Sequence, residues 1–318
     1  MRPVLLTLRI GERVVGIHTY GVLIAAGFAA GIAVAWRQSR RQGLDGGRVL
    51  DLSFWILIAG LLGSRALYGL VNAGTFARIC AGDVQTPRTA ASALWDCTRV
   101  LHVWEGGLVF YGGFLAAAAT LVVFARREGW DVWMVGDLFA PGLALGHAIG
   151  RLGCFAAGCC FGKACPVGGG LCVSFPRDSV AFDELSALDA VDVGAERTPA
   201  LYPTQLFEAA GELAIFAALL WLRRRQQRPD AGGGSTNRRP GTLMLAYAGL
   251  YAGLRFAVEL FRGDVGRTFV SRLSTPRLAQ ALHLPTGEAV LLSSGQLLSV
   301  VVLMGVLVLY NRRFRKTI

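Results

Sequence analysis

GHAIGRLGCFAAGCCFGKACPVGGGLC, residues Gly146–Cys172, decides how the chain is read, because an apolar helical pattern runs unbroken into a loop rich in glycine and cysteine. His147 and Arg151 stand four residues apart near the end of that helix and so share a face, while Gly150 and Gly153 leave room beside the guanidinium. An arginine in an apolar span is costly unless it meets a polar cavity, a counter-charge or an anion. The stretch therefore predicts a membrane helix that ends in an anion site.

The composition agrees with a membrane setting. Of 318 residues, 53% are hydrophobic and 17% charged, and the mean hydropathy is +0.48, a balance that ordinary soluble domains lack. The net charge of +11 sits in short basic runs between apolar segments, where topology and anionic lipid headgroups account for it. Nucleic acid is discounted as a partner. Crossing roughly 30 Å of hydrocarbon takes about 20 helical residues. Suitable runs lie near Ile17–Trp36, Val49–Val71, Leu108–Phe124, Trp133–Ala157, Thr204–Leu222, Thr242–Phe261 and Gly295–Tyr310. They predict an all-α integral membrane protein, one domain over residues 1–318 with about seven transmembrane helices.

Basic residues in short loops set the expected orientation. Arg37, Arg40, Arg41 and Arg48 follow the first run, Arg126 and Arg127 the third, Arg223, Arg224, Arg225, Arg228, Arg238 and Arg239 the fifth, and Arg312, Arg313, Arg315 and Lys316 the last. These loops are assigned to the cytoplasm, including a flexible linker over 223–241, which puts the amino terminus outside and the carboxyl terminus inside. Outer loops at 72–107, 158–203 and 262–294 then form a small head. Residues Met1–Ile10 are too interrupted by Arg2 and Arg9 to act as a cleaved signal peptide. An oxidising outer compartment permits disulfides in the loops that hold Cys80, Cys97, Cys165 and Cys172.

The ionisable residues inside the spans are few: Arg65, Asp137, His147, Arg151, Glu208, Glu212, Arg255 and Glu259. Each is either a structural ion pair or part of a site. Arg255 and Glu259, four apart, pair along one helix face, and two arginines near one interface suit a phosphate. In His102–Ala116, two Gly-Gly pairs, Gly106–Gly107 and Gly112–Gly113, permit close backbone approach, and Tyr111 is either an interfacial anchor or a ligand-facing hydroxyl. The seven cysteines lack paired CxxC knuckles, which weighs against a metal centre. A thiol there is reactive only where a cation such as Arg151 favours its thiolate.

From GRLGCFAAGCCFG, Gly150–Gly162, the chain resembles the prolipoprotein diacylglyceryl transferase family of bacterial inner-membrane enzymes. HTYG at His18–Gly21, VWEGGLVFYGG at Val103–Gly113, YPTQLFEA at Tyr202–Ala209, LRFAVELFR at Leu254–Arg262 and SGQ at Ser294–Gln296 extend the resemblance across the membrane core, though not over Val173–Ala200. The resemblance implies transfer of the diacylglyceryl group of phosphatidylglycerol to the lipobox cysteine of a preprolipoprotein signal peptide, with glycerol 1-phosphate released and no metal or cofactor required. By matched position Arg151 and Arg255 bind phosphate and stabilise departing charge, Glu259 orients Arg255, and Tyr20, Gln205, Glu208 and Gly162 position the headgroup. The family signature has Asn at Cys154, Asn at Ala157 and Glu at Cys159, and some relatives have His at Tyr111. Tyr111 and His147 are catalytic candidates beside the arginines; a phenol is a poorer base than an imidazole at neutral pH, so either His147 or His102 substitutes as base or the arginine field activates the substrate thiol. Two other functions fit the cysteine-rich variant: a membrane thiol-redox or metal-binding paralogue, and a lipid-binding protein without chemistry.

Overall fold

The computed structural model describes residues 4–10, 13–81, 95, 97–102, 107–165, 171–192, 194–227, 239–264, 267–273, 275–285 and 290–314. Among them, six helices are long and apolar enough to cross a membrane. These are α1 (Thr19–Arg41), α2 (Gly46–Val71), α4 (Phe110–Arg127), α5 (Val132–Ala157), α7 (Thr204–Gln226) and α10 (Ser294–Phe314). A further helix, α8 (Thr242–Glu259), occupies the remaining expected run. It is short and carries Arg255 and Glu259, which lower its apolarity. Short helices α3 (Ala73–Ala81), α6 (Val180–Ser186) and α9 (Pro276–Ala281) lie in the connecting segments. The protein is an all-α integral membrane protein.

Three local features differ from the sequence-based expectation. The first span starts at Thr19, because Ile17 and His18 belong to an antiparallel hairpin of β1 (Val4–Ile10) and β2 (Arg13–His18). Here the β-branched Val4, Thr7, Ile10, Val14, Val15 and Ile17 favour extended backbone. A second small ladder joins β3 (Phe269–Leu273) to β4 (Leu291–Ser293). The third difference concerns the linker expected over 223–241. Its first residues continue α7 to Gln226, and Arg223 is buried with Nη2 donating to the Asp137 carbonyl at 2.7 Å. Residues 228–238 of that linker, and 103–106 of the Gly-Gly segment, lie outside the described residues.

The chain divides into two compact units, residues 1–35 with 136–318, and residues 36–135. In the first, close backbone packing comes from two matched glycine pairs. A Cβ on Gly31 would stand 2.8 Å from the Gly142 carbonyl oxygen, and one on Gly27 2.7 Å from that of Gly146. Both helices thus carry the small-xxx-small spacing that lets membrane helices approach. Gly142→Val is expected to cost about 1–3 kcal/mol through overpacking, read as a lower unfolding temperature in detergent. An unchanged transition would remove the glycine contact as a determinant of packing.

Asp137 caps α8 from a different helix. Its carboxylate accepts from the Gly241 and Met244 backbone N–H groups, each at 2.8 Å, and so satisfies donors that a helix start leaves open. A core of Ala140, Ala144, Ile215, Leu219 and Leu243 joins α5, α7 and α8. The segment around Val173–Ala200 folds on Phe161, Phe175, Ala181 and Leu201.

The second unit is built on α2 and α4, where Gly60 and Gly63 face Gly113 and Gly112, and side chains at Gly63, Gly112 or Gly113 would collide with the facing helix. Arg65 proves structural. Its guanidinium donates to the carbonyls of Val100, Arg99 and Gly107 at 2.6, 2.7 and 3.1 Å, which ties down the segment before α4. Disulfides join Cys80 to Cys97 here and Cys165 to Cys172 in the first unit.

Candidate functional site

The end of α5 is where the chemistry gathers, and its geometry follows from how that helix stops. Gly158, at φ +77°, takes the left-handed conformation just past the last helical residue. Its N–H donates to the Phe155 carbonyl at 3.3 Å, and the Cys159 N–H to the Cys154 carbonyl at 3.1 Å. This is the Schellman bond pattern, which glycine favours because a Cβ is strained there. The chain then turns back on itself, so Cys159 and Cys160 return toward Cys154.

Helix α7 fixes the returning strand. Thr204 Oγ1 donates to the Cys160 carbonyl and Gln205 Nε2 to the Cys159 carbonyl, both at 2.7 Å. Gly162 is bonded through its N–H to the Tyr202 carbonyl at 2.9 Å, and a Cβ there would stand 2.5 Å from that oxygen. Its match to the family signature is therefore explained by backbone approach.

One turn further along α7, Glu208 lies between the two arginines singled out from the sequence. Arg151 Nη2 donates to Glu208 Oε1 at 2.9 Å, and Arg255 Nη1 to Oε2 at 3.4 Å. Glu208 itself is buried, whereas Arg151 is 14% and Arg255 20% exposed. Among the described residues nothing accepts from Arg151 Nη1 or Arg255 Nε. Each guanidinium thus keeps a donor for a further anion.

His147 and Glu259 hold these arginines from behind. Arg151 Nε donates to His147 Nε2 at 3.3 Å, so the ring proton is assigned to Nδ1, which stands 2.7 Å from Glu212 Oε1. Glu259 pairs with Arg255 Nη2 at 2.8 Å, as the four-residue spacing predicts, and with Arg267 Nε at 3.2 Å. Burial holds the Arg267 pKa below the ordinary arginine value despite that partner. For Arg262 burial acts in the same direction, but the Asp264 carboxylate, bonded to Nε at 2.8 Å, raises the pKa overall.

The structure thus brings together Arg151, His147, Gln205, Glu208, Arg255 and Glu259 on α5, α7 and α8. Tyr20 joins them at the start of α1, its ring 3.4 Å from the position of a Cβ on Gly153. Tyr111 belongs to the second unit, 53% exposed on the first turn of α4, edge-on to Phe110. His102 is buried in that unit against Trp95, with ring centres 4.1 Å apart.

Sequence reasoning missed three members. Tyr251 donates its hydroxyl to Glu208 at 3.4 Å. It sits four residues before Arg255 in α8, a spacing that does signal a shared face. Glu212 appeared as an isolated membrane carboxylate with no partner indicated. Arg267 lies in a loop, where no periodicity points to Glu259.

The Sγ atoms of Cys154, Cys159 and Cys160 all lie within 4.8 Å of one another, half-buried and in no disulfide. Arg151 precedes Cys154 by three residues on the same helix face.

The chain is similar to known proteins along most of its length. The family model described as prolipoprotein diacylglyceryl transferase matches residues 6–311. The phosphatidylglycerol–prolipoprotein diacylglyceryl transferase of Clostridium tetani is 26% identical, covering 99% of this chain and 100% of its own. The protein of that name from Geobacillus kaustophilus is 30% identical over 78% of this chain and 77% of its own length. One from Clostridium perfringens, numbered 2, is 26% identical over 93% and 90%.

Proposed function

The chain belongs to the prolipoprotein diacylglyceryl transferase family, and from that premise we infer that it transfers the diacylglyceryl group of phosphatidylglycerol to the lipobox cysteine of preprolipoprotein signal peptides. The acceptor sulfur attacks the glyceryl carbon that carries the phosphate ester. A C–S bond forms, the C–O bond breaks, and the electron pair leaves on the oxygen of glycerol 1-phosphate. The acceptor thiol's proton leaves with the phosphate or passes to water.

One observation carries this reading: two guanidinium groups, Arg151 and Arg255, share one buried carboxylate, Glu208, and each retains an unused donor. Charge grows on the phosphate oxygen as the C–O bond breaks. Preorganised donors in a site of low dielectric stabilise such charge without reorganising. Arg151 and Arg255 thus bind the phosphate and are the catalytic residues. Glu208 and Glu259 position them, and His147, engaged at both ring nitrogens, orients Arg151. Gln205, whose buried Oε1 lacks a partner among the described residues, accepts from the glycerol headgroup, and Tyr20 flanks it. Tyr111 serves as an interfacial anchor. We assign the protein to the bacterial inner membrane, as the family implies, with the amino terminus outside, an orientation that the loop basicity supports.

The test mixes the purified full chain with phosphatidylglycerol and a lipobox peptide. A mass gain of one diacylglyceryl group is expected on the cysteine peptide and none on its serine analogue. Lipid binding without any thioether product would favour the non-catalytic alternative.

A further inference from the structure

We propose that Cys154, Cys159 and Cys160 form a three-thiolate zinc site whose fourth position takes the acceptor cysteine of the substrate as a thiolate. The proposal rests on the transferase reading above and supplies what that reading lacks, a means of deprotonating the acceptor. His147 has Nε2 occupied by Arg151 and Nδ1 against Glu212, so no lone pair is left for a substrate thiol. A phenol such as that of Tyr111 is a poor base at neutral pH.

The geometry suits zinc. Tetrahedral Zn–S bonds of about 2.3 Å separate the sulfurs by ~3.8 Å, and the three thiols already stand within 4.8 Å of one another. Side-chain rotation closes that difference, because the backbone is preset by the Schellman turn at Gly158 and by the bonds from Thr204 and Gln205 to the Cys160 and Cys159 carbonyls. Cys160 is held at φ +58°, a left-handed conformation that costs a non-glycine residue free energy and concentrates at functional positions. Its side chain is thereby aimed at the other two. Four of the seven cysteines form disulfides, so the chain matures where oxidation is permitted. Coordination would keep these three adjacent thiols reduced.

Three protein ligands and one open position mark a catalytic zinc, and a thiol that coordinates the ion loses its proton outright. The step balances. The acceptor S–H releases its proton to water on binding zinc, the bound sulfur forms the C–S bond, and the C–O electron pair leaves with glycerol phosphate, whose charge meets Arg151. The product thioether carries no charge, binds zinc weakly and departs. Arg151 and Cys154 share a helix face, and Gln205 and Glu208, three apart on α7, touch the cysteine loop and the arginines respectively. The acceptor and the phosphate are thus served from adjoining turns.

The full chain, purified in detergent, should hold one zinc per molecule. Cys154→Ser, Cys159→Ser and Cys160→Ser should each lose it, whereas the paired change Cys80→Ser with Cys97→Ser should keep it. Cobalt put in place of zinc should give thiolate charge-transfer and visible bands. A lipobox cysteine peptide without lipid should shift the visible bands, and its serine analogue should not. Zinc-stripped wild-type protein, which avoids any folding defect of the variants, should lose transfer by about 10²-fold or more and recover when zinc returns. The proposal is overturned by failure to bind zinc, by copper(I) as the only ion held, by cobalt bands indifferent to the peptide, or by full activity after stripping. If the peptide thiol shifts the cobalt bands yet zinc-loaded protein makes no thioether, the transferase reading fails and the thiol-binding zinc site stands.

Discussion

Arg151→Ala is expected to lower thioether formation by about 10²- to 10³-fold, the usual scale for removing one preorganised donor from developing negative charge. The guanidinium meets Glu208 through Nη2 and His147 through Nε, and its Nη1 has no acceptor among the described residues. That third edge is the one we assign to the phosphate. Arg151→Lys should recover little, because an ammonium cannot hold Glu208 and His147 in one plane while also reaching the anion. The measurement is single-turnover transfer to a lipobox peptide at saturating phosphatidylglycerol. Arg151→Ala protein that retained wild-type rates would remove the phosphate clamp from the mechanism.

Glu208→Gln should act first on stability and only then on rate. The carboxylate is buried and pairs with Arg151 at 2.9 Å and Arg255 at 3.4 Å. Neutralising it leaves two partly buried cations facing each other, and breaking a buried pair in this way costs about 3–5 kcal/mol. An anionic lipid headgroup bound between the arginines would restore part of that loss. Thermal unfolding in detergent should therefore show a lowered midpoint that rises on adding phosphatidylglycerol, more than it does for wild-type protein. A zwitterionic phospholipid should rescue less. Equal rescue by both lipids would mean that the arginines do not meet the anionic headgroup.

Much of the site was legible in the sequence because helical periodicity reports neighbours within one element. His147 with Arg151, and Arg255 with Glu259, follow from four-residue spacing, and both contacts are present at 3.3 and 2.8 Å. Tyr111 lies beyond the reach of that signal. A tyrosine beside a Gly-Gly pair matches a motif, but periodicity within α4 says nothing of what lies across from it. Arg65 and Asp137 likewise read as expensive membrane charges. Their work is to satisfy backbone groups of other segments, and such partners carry no local sequence mark.

The sequence by itself determined the apolar spans, the family motifs and the pairs along single helices, since these depend on hydrophobic length and on a fixed number of residues per turn. Only the tertiary structure decided what crosses between elements. It placed Glu208 of α7 between arginines of α5 and α8, set Gly27 and Gly31 against Gly146 and Gly142, and folded Cys159 and Cys160 back onto Cys154. Spacing along the chain gave those three cysteines no metal signature. A left-handed turn after the last helical residue reverses the chain within two residues, and distance in space then stops following distance in sequence.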